Sequence, residues 1–271
     1  MSVSAIDRAV SVIEAMAGAT APIEVTALAD RVGLPASATH RILTTLAERG
    51  WVVQDAESSA YQLSLRIAVL GFRHLETRVV SDIVQAALDR LASRTREYCR
   101  LAVVDAGDLV WVARAQGAPA GLRYEPDMGQ EIVLHATANG KAWLATMDDA
   151  TAGARLAARG LAANRPLGPN CATSVDEVIR QIAAAREAGF ATAVEEAEAG
   201  TAAVAVAFRA SSHDEAPVAG TISVAGPVAR IHEGRFTELA AELHRTAAEI
   251  GELWPIRTFG QRGRPTEERA A

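Results

Sequence analysis

Hydrophobic positions along the chain follow two periods, about 3.6 residues in some stretches and 2 in others, and their order lays out the architecture. Over residues 4–17, Ile6, Val10, Ile13 and Ala17 recur at helical spacing with Asp7, Arg8 and Glu14 between them, which predicts a helix with those apolar residues facing a core. Thr26 suits the N-cap of a short helix over 27–32, with Gly33 as its stop. Leu34-Pro35 then leads into a third helix over 36–49, ended by Gly50. Next, 51–53 and 61–63 are β-prone runs on either side of the polar stretch 55–59, the pattern of a hairpin. Three helices followed by a hairpin predict a winged helix-turn-helix.

Helical spacing resumes over 65–74, read as a linker helix, and over 81–94, where Ile83, Val84, Ala87, Leu88 and Leu91 form the apolar stripe. Strand-like runs at 101–104 and 109–113 flank Asp105-Ala106-Gly107-Asp108, the composition of a tight turn. A Gly/Pro-bearing stretch, 116–129, precedes helical runs near 137–146 and 148–159. Another helix, over 174–188, opens with capping-box spacing between Ser174 and Glu177. The Val/Ala-rich segments 190–194, 202–208 and 218–224 read as strands. Residues 235–253, with Phe236, Leu239, Leu243 and Ile250, read as a closing amphipathic helix. The second half is therefore expected to be α+β, a sheet flanked by helices. No internal repeat is evident.

The chain has 271 residues, enough for about two domains, and its 49% apolar and 22% charged residues suit a packed core. Aromatic residues are only 4%, and alanine carries much of the apolar fraction, which favours closely packed helices. Cys99 and Cys171 are too isolated for a disulfide framework or a CxxC metal knuckle. Asp7, Arg8 and Glu14 interrupt any signal-peptide core, and no apolar run nears the roughly 18 residues of a membrane span, so a cytoplasmic protein without membrane contact is expected. Net charge is −6, which argues against indiscriminate nucleic-acid binding but leaves a locally positive face open.

That local face lies on the third helix. With Ile42, Thr45 and Leu46 turned to the core, Ser37, His40, Arg41 and Thr44 share an outer face, and no acidic residue occurs from Arg31 through Ala47. Arginine can donate a bidentate pair to guanine or clamp a phosphate, and hydroxyls near a helix N-terminus suit phosphate oxygens. Arg31, Ser37, Thr39, His40, Arg41 and Thr44 are the expected DNA-contacting residues. Residues 1–60 nonetheless carry four basic against seven acidic side chains, so the domain behind that face is acidic. Arg262-Gly263-Arg264-Pro265 matches the core of an AT-hook, although Glu267 and Glu268 follow it and four residues are a weak signal.

Catalytic signatures are missing. There is no GxSxG, HExxH or strand-linked GxGxxG, Gly140-Lys141 lacks the rest of a P-loop, and six scattered histidines show no metal-ligand spacing. Glu195-Glu196, adjacent on a strand, would point to opposite faces and reads as a solvated strand end. No cofactor, metal or enzymatic activity is expected.

Four blocks carry a resemblance to a known family: residues 34–46 (LPASATHRILTTL), residues 134–142 (LHATANGKA), Glu195-Glu196 with Gly200, and residues 222–227 (ISVAGP). In that order, across about residues 4–253, they resemble the IclR family of bacterial transcriptional regulators. The resemblance implies a winged helix-turn-helix at the N-terminus, a linker helix, and a C-terminal GAF-like effector domain with an antiparallel sheet. It further implies a homodimer or dimer of dimers that binds a double-stranded DNA operator and responds to a small metabolite. Carried over position by position, the family's effector pocket falls on the backbone amides of Ala138 and Asn139 and on Ala193, Ala203, Ser223 and Ala225. Three of the four polar side chains used for small α-keto acids are alanine here. Each lost contact would cost on the order of 1–3 kcal/mol, so the effector is expected to be larger or more apolar than glyoxylate or pyruvate, with Trp111 or Trp143 as a wall.

The domains are expected at 1–64 (winged helix), 65–80 (linker helix) and 81–256 (effector domain), with a polar disordered tail at 257–271. Two other functions fit the same residues: an architectural DNA binder that ignores ligands, and a metabolite-binding or enzymatic module whose winged helix serves only dimerisation.

Overall fold

The computed structural model describes residues 4–56, 58–76, 81–119, 122–126, 131–211 and 216–254. The tail expected at 257–271, with its Arg262–Pro265 motif, lies outside the described residues. The chain divides into two compact units, Met1–Arg78 and Val79–Ala271.

The first unit contains helices α1 (Ala5–Ala17), α2 (Val25–Val32) and α3 (Ala36–Glu48), the hairpin β1 (Val52–Gln54) and β2 (Tyr61–Leu63), and α4 (Arg66–Glu76). α1 begins at a full capping box: Ser4 Oγ accepts the Asp7 N–H and the Asp7 carboxylate accepts the Ser4 N–H. α2 starts two residues before the expected helix, and its N-cap, Glu24, makes no side-chain bond, so Thr26 sits inside the first turn. Gly33 closes α2 in the left-handed region at φ 64°, which lets the chain reverse into α3. The core joins Val12, Met16, Leu28, Leu43, Val52 and Tyr61, and an antiparallel bridge from Ile23 to Tyr61 extends the hairpin.

Two face assignments differ from expectation. In α1 the buried pair is Val12 and Met16, one turn apart, whereas Ile6 and Val10 are 75% and 46% exposed. In α3, Ile42 and Leu46 pack against the core as expected, but the fully buried residues are Thr39 and Leu43, and Thr45 is exposed. In α1 several apolar residues lie off the stripe that meets the neighbouring helices, so apolarity alone misjudges the angle of the buried face.

The second unit is a three-layer sandwich built from α5 (Ser81–Thr95), β3 (Tyr98–Asp105), β4 (Asp108–Gln116), α6 (Ala138–Leu144), α7 (Asp149–Arg159), α8 (Val175–Ala188), β5 (Ala191–Val194), β6 (Thr201–Arg209), β7 (Val218–Pro227) and α9 (Glu233–Leu253). The sheet is antiparallel with order β4-β3-β7-β6-β5. Strand alternation splits its side chains. Cys99, Leu101, Val204, Val206, Ile222 and Val224 pack against α5 and α9, while Ala102 and Leu109 join the cluster formed with α6, α7 and α8. Ser174 Oγ caps α8 as expected, but the Glu177 carboxylate takes the N–H of Thr173 rather than that of Ser174, so the box is shifted by one residue.

Candidate functional site

Two places gather polar chemistry, one in each unit. On α3, Ser37, His40, Arg41 and Thr44 are all exposed and lie on one face. Pro35 precedes the helix without a side-chain cap, so the first-turn N–H groups of Ala36 and Ser37 point outward, an arrangement that attracts phosphate. Thr44 already donates its hydroxyl to the His40 carbonyl at 3.0 Å and offers an outside partner an acceptor oxygen.

Two residues of the expected DNA set already have partners within the unit. Thr39 is fully buried and donates its hydroxyl to the Pro35 carbonyl at 3.2 Å, so it helps to seat α3 and cannot reach a base. Arg31, at the end of α2, donates from its guanidinium to the Ala15 carbonyl at 3.3 Å and so ties α2 to the last turn of α1. At the hairpin tip, the Asp55 carboxylate accepts both the N–H and the hydroxyl of Ser58 at 2.7 Å, which places negative charge where a wing would approach phosphate.

In the second unit, the sheet face toward α6 carries a partly open cavity of about 50 Å³. Ala138, Asn139, Ala193, Ala203, Ser223 and Ala225 all line it, together with Arg100, Trp111, Tyr124 and Thr201. Strand register explains this convergence. Ala193 pairs with Ala203, and Ala203 with Ala225, so three methyl groups form one row across β5, β6 and β7. In the adjoining row Ser223 pairs with Arg100 of β3. Asn139 directs its side-chain amide to the Thr221 hydroxyl at 2.9 Å, which leaves its backbone as the part available to a ligand.

The expected widening of the pocket by alanines is not found, because larger neighbours occupy the room. Arg100 is buried, with its guanidinium 3.8 Å from the centroid of Trp111 and 5.9 Å from that of Tyr98. Tyr124 meets Tyr98 edge-on at 5.9 Å, and burial pushes its phenol above the usual range, with Glu198 adding to the shift. Trp143 does not reach the cavity; it lies in the core between α6, α7 and α8 with Arg155 stacked 4.6 Å from its ring.

Beside the cavity, the expected solvated strand end is instead a buried ion pair. Lys141 on α6 donates to both carboxylate oxygens of Glu196 at 2.7 and 2.8 Å, and to Gln181 at 3.3 Å. Burial lowers the Lys141 ammonium below its ordinary value despite the opposing pull of Glu196. The loop bearing Glu196 is fixed further by Gly168, whose N–H donates to the Glu196 carbonyl at 2.8 Å, and by Arg165, which donates to the Ala197 carbonyl at 2.6 Å. Arg100, Tyr124 and this pair were not singled out from the sequence. A lone arginine entering an apolar strand run and a lysine within a run of small residues were the available signals.

Among the described residues, no cluster of three or more metal-ligating side chains occurs and no helix is long and apolar enough to cross a membrane. Residues 5–56 match the IclR helix-turn-helix domain, and residues 72–252 match the C-terminal domain of the bacterial transcriptional regulator IclR. The Transcriptional repressor IclR of Escherichia coli (strain K12) is 30% identical over 251 residues, covering 92% of this chain and 89% of that protein. The crystal structure of an IclR transcriptional regulator from Alicyclobacillus acidocaldarius superposes with a TM-score of 0.76 at 25% identity, covering 94% of this chain and 99% of that one. An IclR homolog from Microbacterium hydrocarbonoxydans, solved in complex with 4-hydroxybenzoate, has a TM-score of 0.69 at 22% identity over 92% of this chain and 98% of its own. With matches to both domain models and a full-length relative at this identity, the chain belongs to the IclR family of DNA-binding bacterial transcriptional regulators.

Proposed function

We propose that this regulator reads an operator through Ser37, His40 and Arg41 of α3, and that a small organic effector held in the cavity between α6 and the sheet alters its affinity for that operator. The observation that carries the effector half is the convergence of Ala138, Asn139, Ala193, Ala203, Ser223 and Ala225, drawn from four elements, on one partly open cavity. The 4-hydroxybenzoate held by the Microbacterium protein supports a small organic acid as the class. The DNA half rests on the exposed, acid-free face of α3, because an arginine there can form a bidentate pair with guanine.

The protein acts as a regulator rather than an enzyme on this reading, and as a homodimer or a dimer of dimers. Ile6 and Val10 on α1, and Leu65, Val69 and Leu70 near the start of α4, are exposed apolar residues that suit burial against a second copy. Two recognition helices would then meet successive half-sites of a palindromic operator. Residues 1–64 form the DNA-reading domain, 65–80 the linker and 81–256 the effector domain.

The test is selection of duplexes from a random pool by the full chain, followed by titration of the selected duplex with and without a panel of organic acids. A defined palindromic consensus whose affinity shifts with one acid supports the reading. Binding that is indifferent to sequence, with a steep salt dependence, removes it in favour of an architectural DNA binder.

A further inference from the structure

We infer that the second unit carries a further ligand site, a groove between α6, α8 and the open edge of β6, and that it takes a monocarboxylic acid with an unbranched aliphatic body. The groove has a volume of about 310 Å³, the scale of a small-molecule site, and shares no lining residue with the cavity proposed above for the effector. Both border α6 at different turns: Ala138 and Asn139 line the cavity, and Ala142 and Ala145 the groove.

Unequal strand lengths create the space. β5 begins at Ala191, opposite Ala205, whereas β6 continues to Arg209. The Glu195 N–H donates to the Thr201 carbonyl at 2.8 Å, so by strand alternation Ala203, Ala205 and Ala207 also turn their N–H and C=O groups toward the β5 side. Ala207 lies past the start of β5. Its N–H therefore has no strand partner among the described residues and opens on the groove.

The lining defines the ligand. Ala142 and Ala145 of α6, Ala185 of α8, and Ala205 and Ala207 of β6 present methyl groups, and the one hydroxyl of the lining, that of Thr146, already donates to the Trp143 carbonyl at 2.6 Å. An alkyl chain gains van der Waals contact on this bed, whereas a polar body would be left unpaired. Among the described residues the lining holds no acidic side chain and three basic ones, Arg186, Arg209 and His244. Arg186 is answered by the Asp149 carboxylate at 2.6 Å and by the Ala145 and Met147 carbonyls. Arg209 gives one N–H to the Ala216 carbonyl at 2.6 Å, which holds the guanidinium in place and leaves it donors to offer. His244 stands on α9 beside Gly189, where a Cβ would lie 3.7 Å from the imidazole Nε2. A carboxylate head at the Arg209 and His244 end gains a charge-assisted bond, and the Ala207 N–H is a further donor. A second acidic group would fall among the methyls, so a monoacid is selected over a diacid or a sugar acid.

The experiment uses the full chain with octanoate and its neutral isostere octanamide as probes, read by isothermal titration and thermal shift. Octanoate is expected to bind, and octanamide about tenfold more weakly, in line with loss of a charge-assisted hydrogen bond. From butanoate to octanoate, each added methylene should tighten binding by up to about fourfold, the affinity equivalent of about 0.8 kcal/mol per buried CH2. Arg209→Gln should remove most of the preference for octanoate over octanamide. Ala207→Leu, which fills the bed and keeps the head, should weaken both probes, with the melting temperature of each unliganded variant confirming that it is folded. No binding of octanoate at millimolar concentration, equal affinity for the two probes, no gain with chain length, or octanoate binding undiminished by either variant overturns the assignment.

Discussion

Lys141 and Glu196, 55 positions apart in the chain, meet with the ammonium 2.7 and 2.8 Å from the two carboxylate oxygens, and both side chains are buried. The pair joins α6, which brings Ala138 and Asn139 to the cavity, to the loop whose Ala197 lines the opposite wall. Removing one partner leaves the other as a buried uncompensated charge. Glu196→Ala and Lys141→Met are each expected to cost about 3–5 kcal/mol in denaturant unfolding of the full chain, and the double replacement Lys141→Met with Glu196→Leu less than the sum of the two single changes. Additive losses would show that the two residues act independently.

On α3, neighbouring positions should behave in opposite ways. Arg41→Ala is expected to weaken the selected duplex by tenfold or more, as loss of one bidentate contact of about 1–3 kcal/mol requires, with no change in melting temperature. Thr39→Val should leave DNA affinity intact and lower stability by about 0.5–1.5 kcal/mol, the worth of its bond to the Pro35 carbonyl. Gel-shift titration and thermal melts on the same preparations separate the two effects.

Gly140 lies where α6 passes the segment that precedes it, and a Cβ there would fall 2.3 Å from the Leu134 carbonyl oxygen and 2.4 Å from the Leu134 Cα. Backbone cannot yield as a flexible side chain does. Gly140→Ala should therefore destabilise the chain by at least the upper part of the about 1–3 kcal/mol typical of overpacking, measured as a shift in the urea midpoint.

Burial, with the nearby Lys141 ammonium adding to it, holds the buried His135 imidazole below its ordinary value of 6.5. The unfolded chain gains that proton at a higher pH than the folded one. The stabilising contribution of neutral His135 is therefore complete above about pH 6.5 and declines as the pH falls below it. The urea midpoint should fall between about pH 7 and pH 5, and less so in His135→Gln; parallel pH profiles for the two proteins would contradict this.

The two thiols should differ in reactivity. Cys99 is fully buried among α5 and the sheet, and burial pushes its thiol up to about 12, whereas Cys171 is partly exposed. A disulfide reagent at mildly alkaline pH should titrate one thiol in the folded chain and two after denaturation, because only a thiolate that the reagent can reach will react.

Most elements were legible because their signals are local. The Ser174 cap, the Gly33 stop and the turn between β3 and β4, where Ala106 and Gly107 take positive φ, are all decided within a few residues. What escaped depends on contacts distant in sequence. The buried face of α1 is set by α2 and α3, so the exposed Ile6 and Val10 were indistinguishable from core residues. Glu196 read as solvated because Lys141, the residue that makes its burial tolerable, belongs to another element. The cavity positions came through resemblance alone, and their in-register rows became visible only once β5, β6 and β7 were aligned.

The methyl row of Ala193, Ala203 and Ala225 has a practical corollary. These side chains project from strands whose backbone bonds run to neighbouring strands within the sheet, so a substitution there leaves the ladder's own hydrogen bonds in place, within the limit that the cavity of about 50 Å³ sets on size. With the cavity as the effector site proposed above, the sheet would serve as a chassis for biosensors, its ligand preference reset by substitutions in this row while the N-terminal unit is kept as the output.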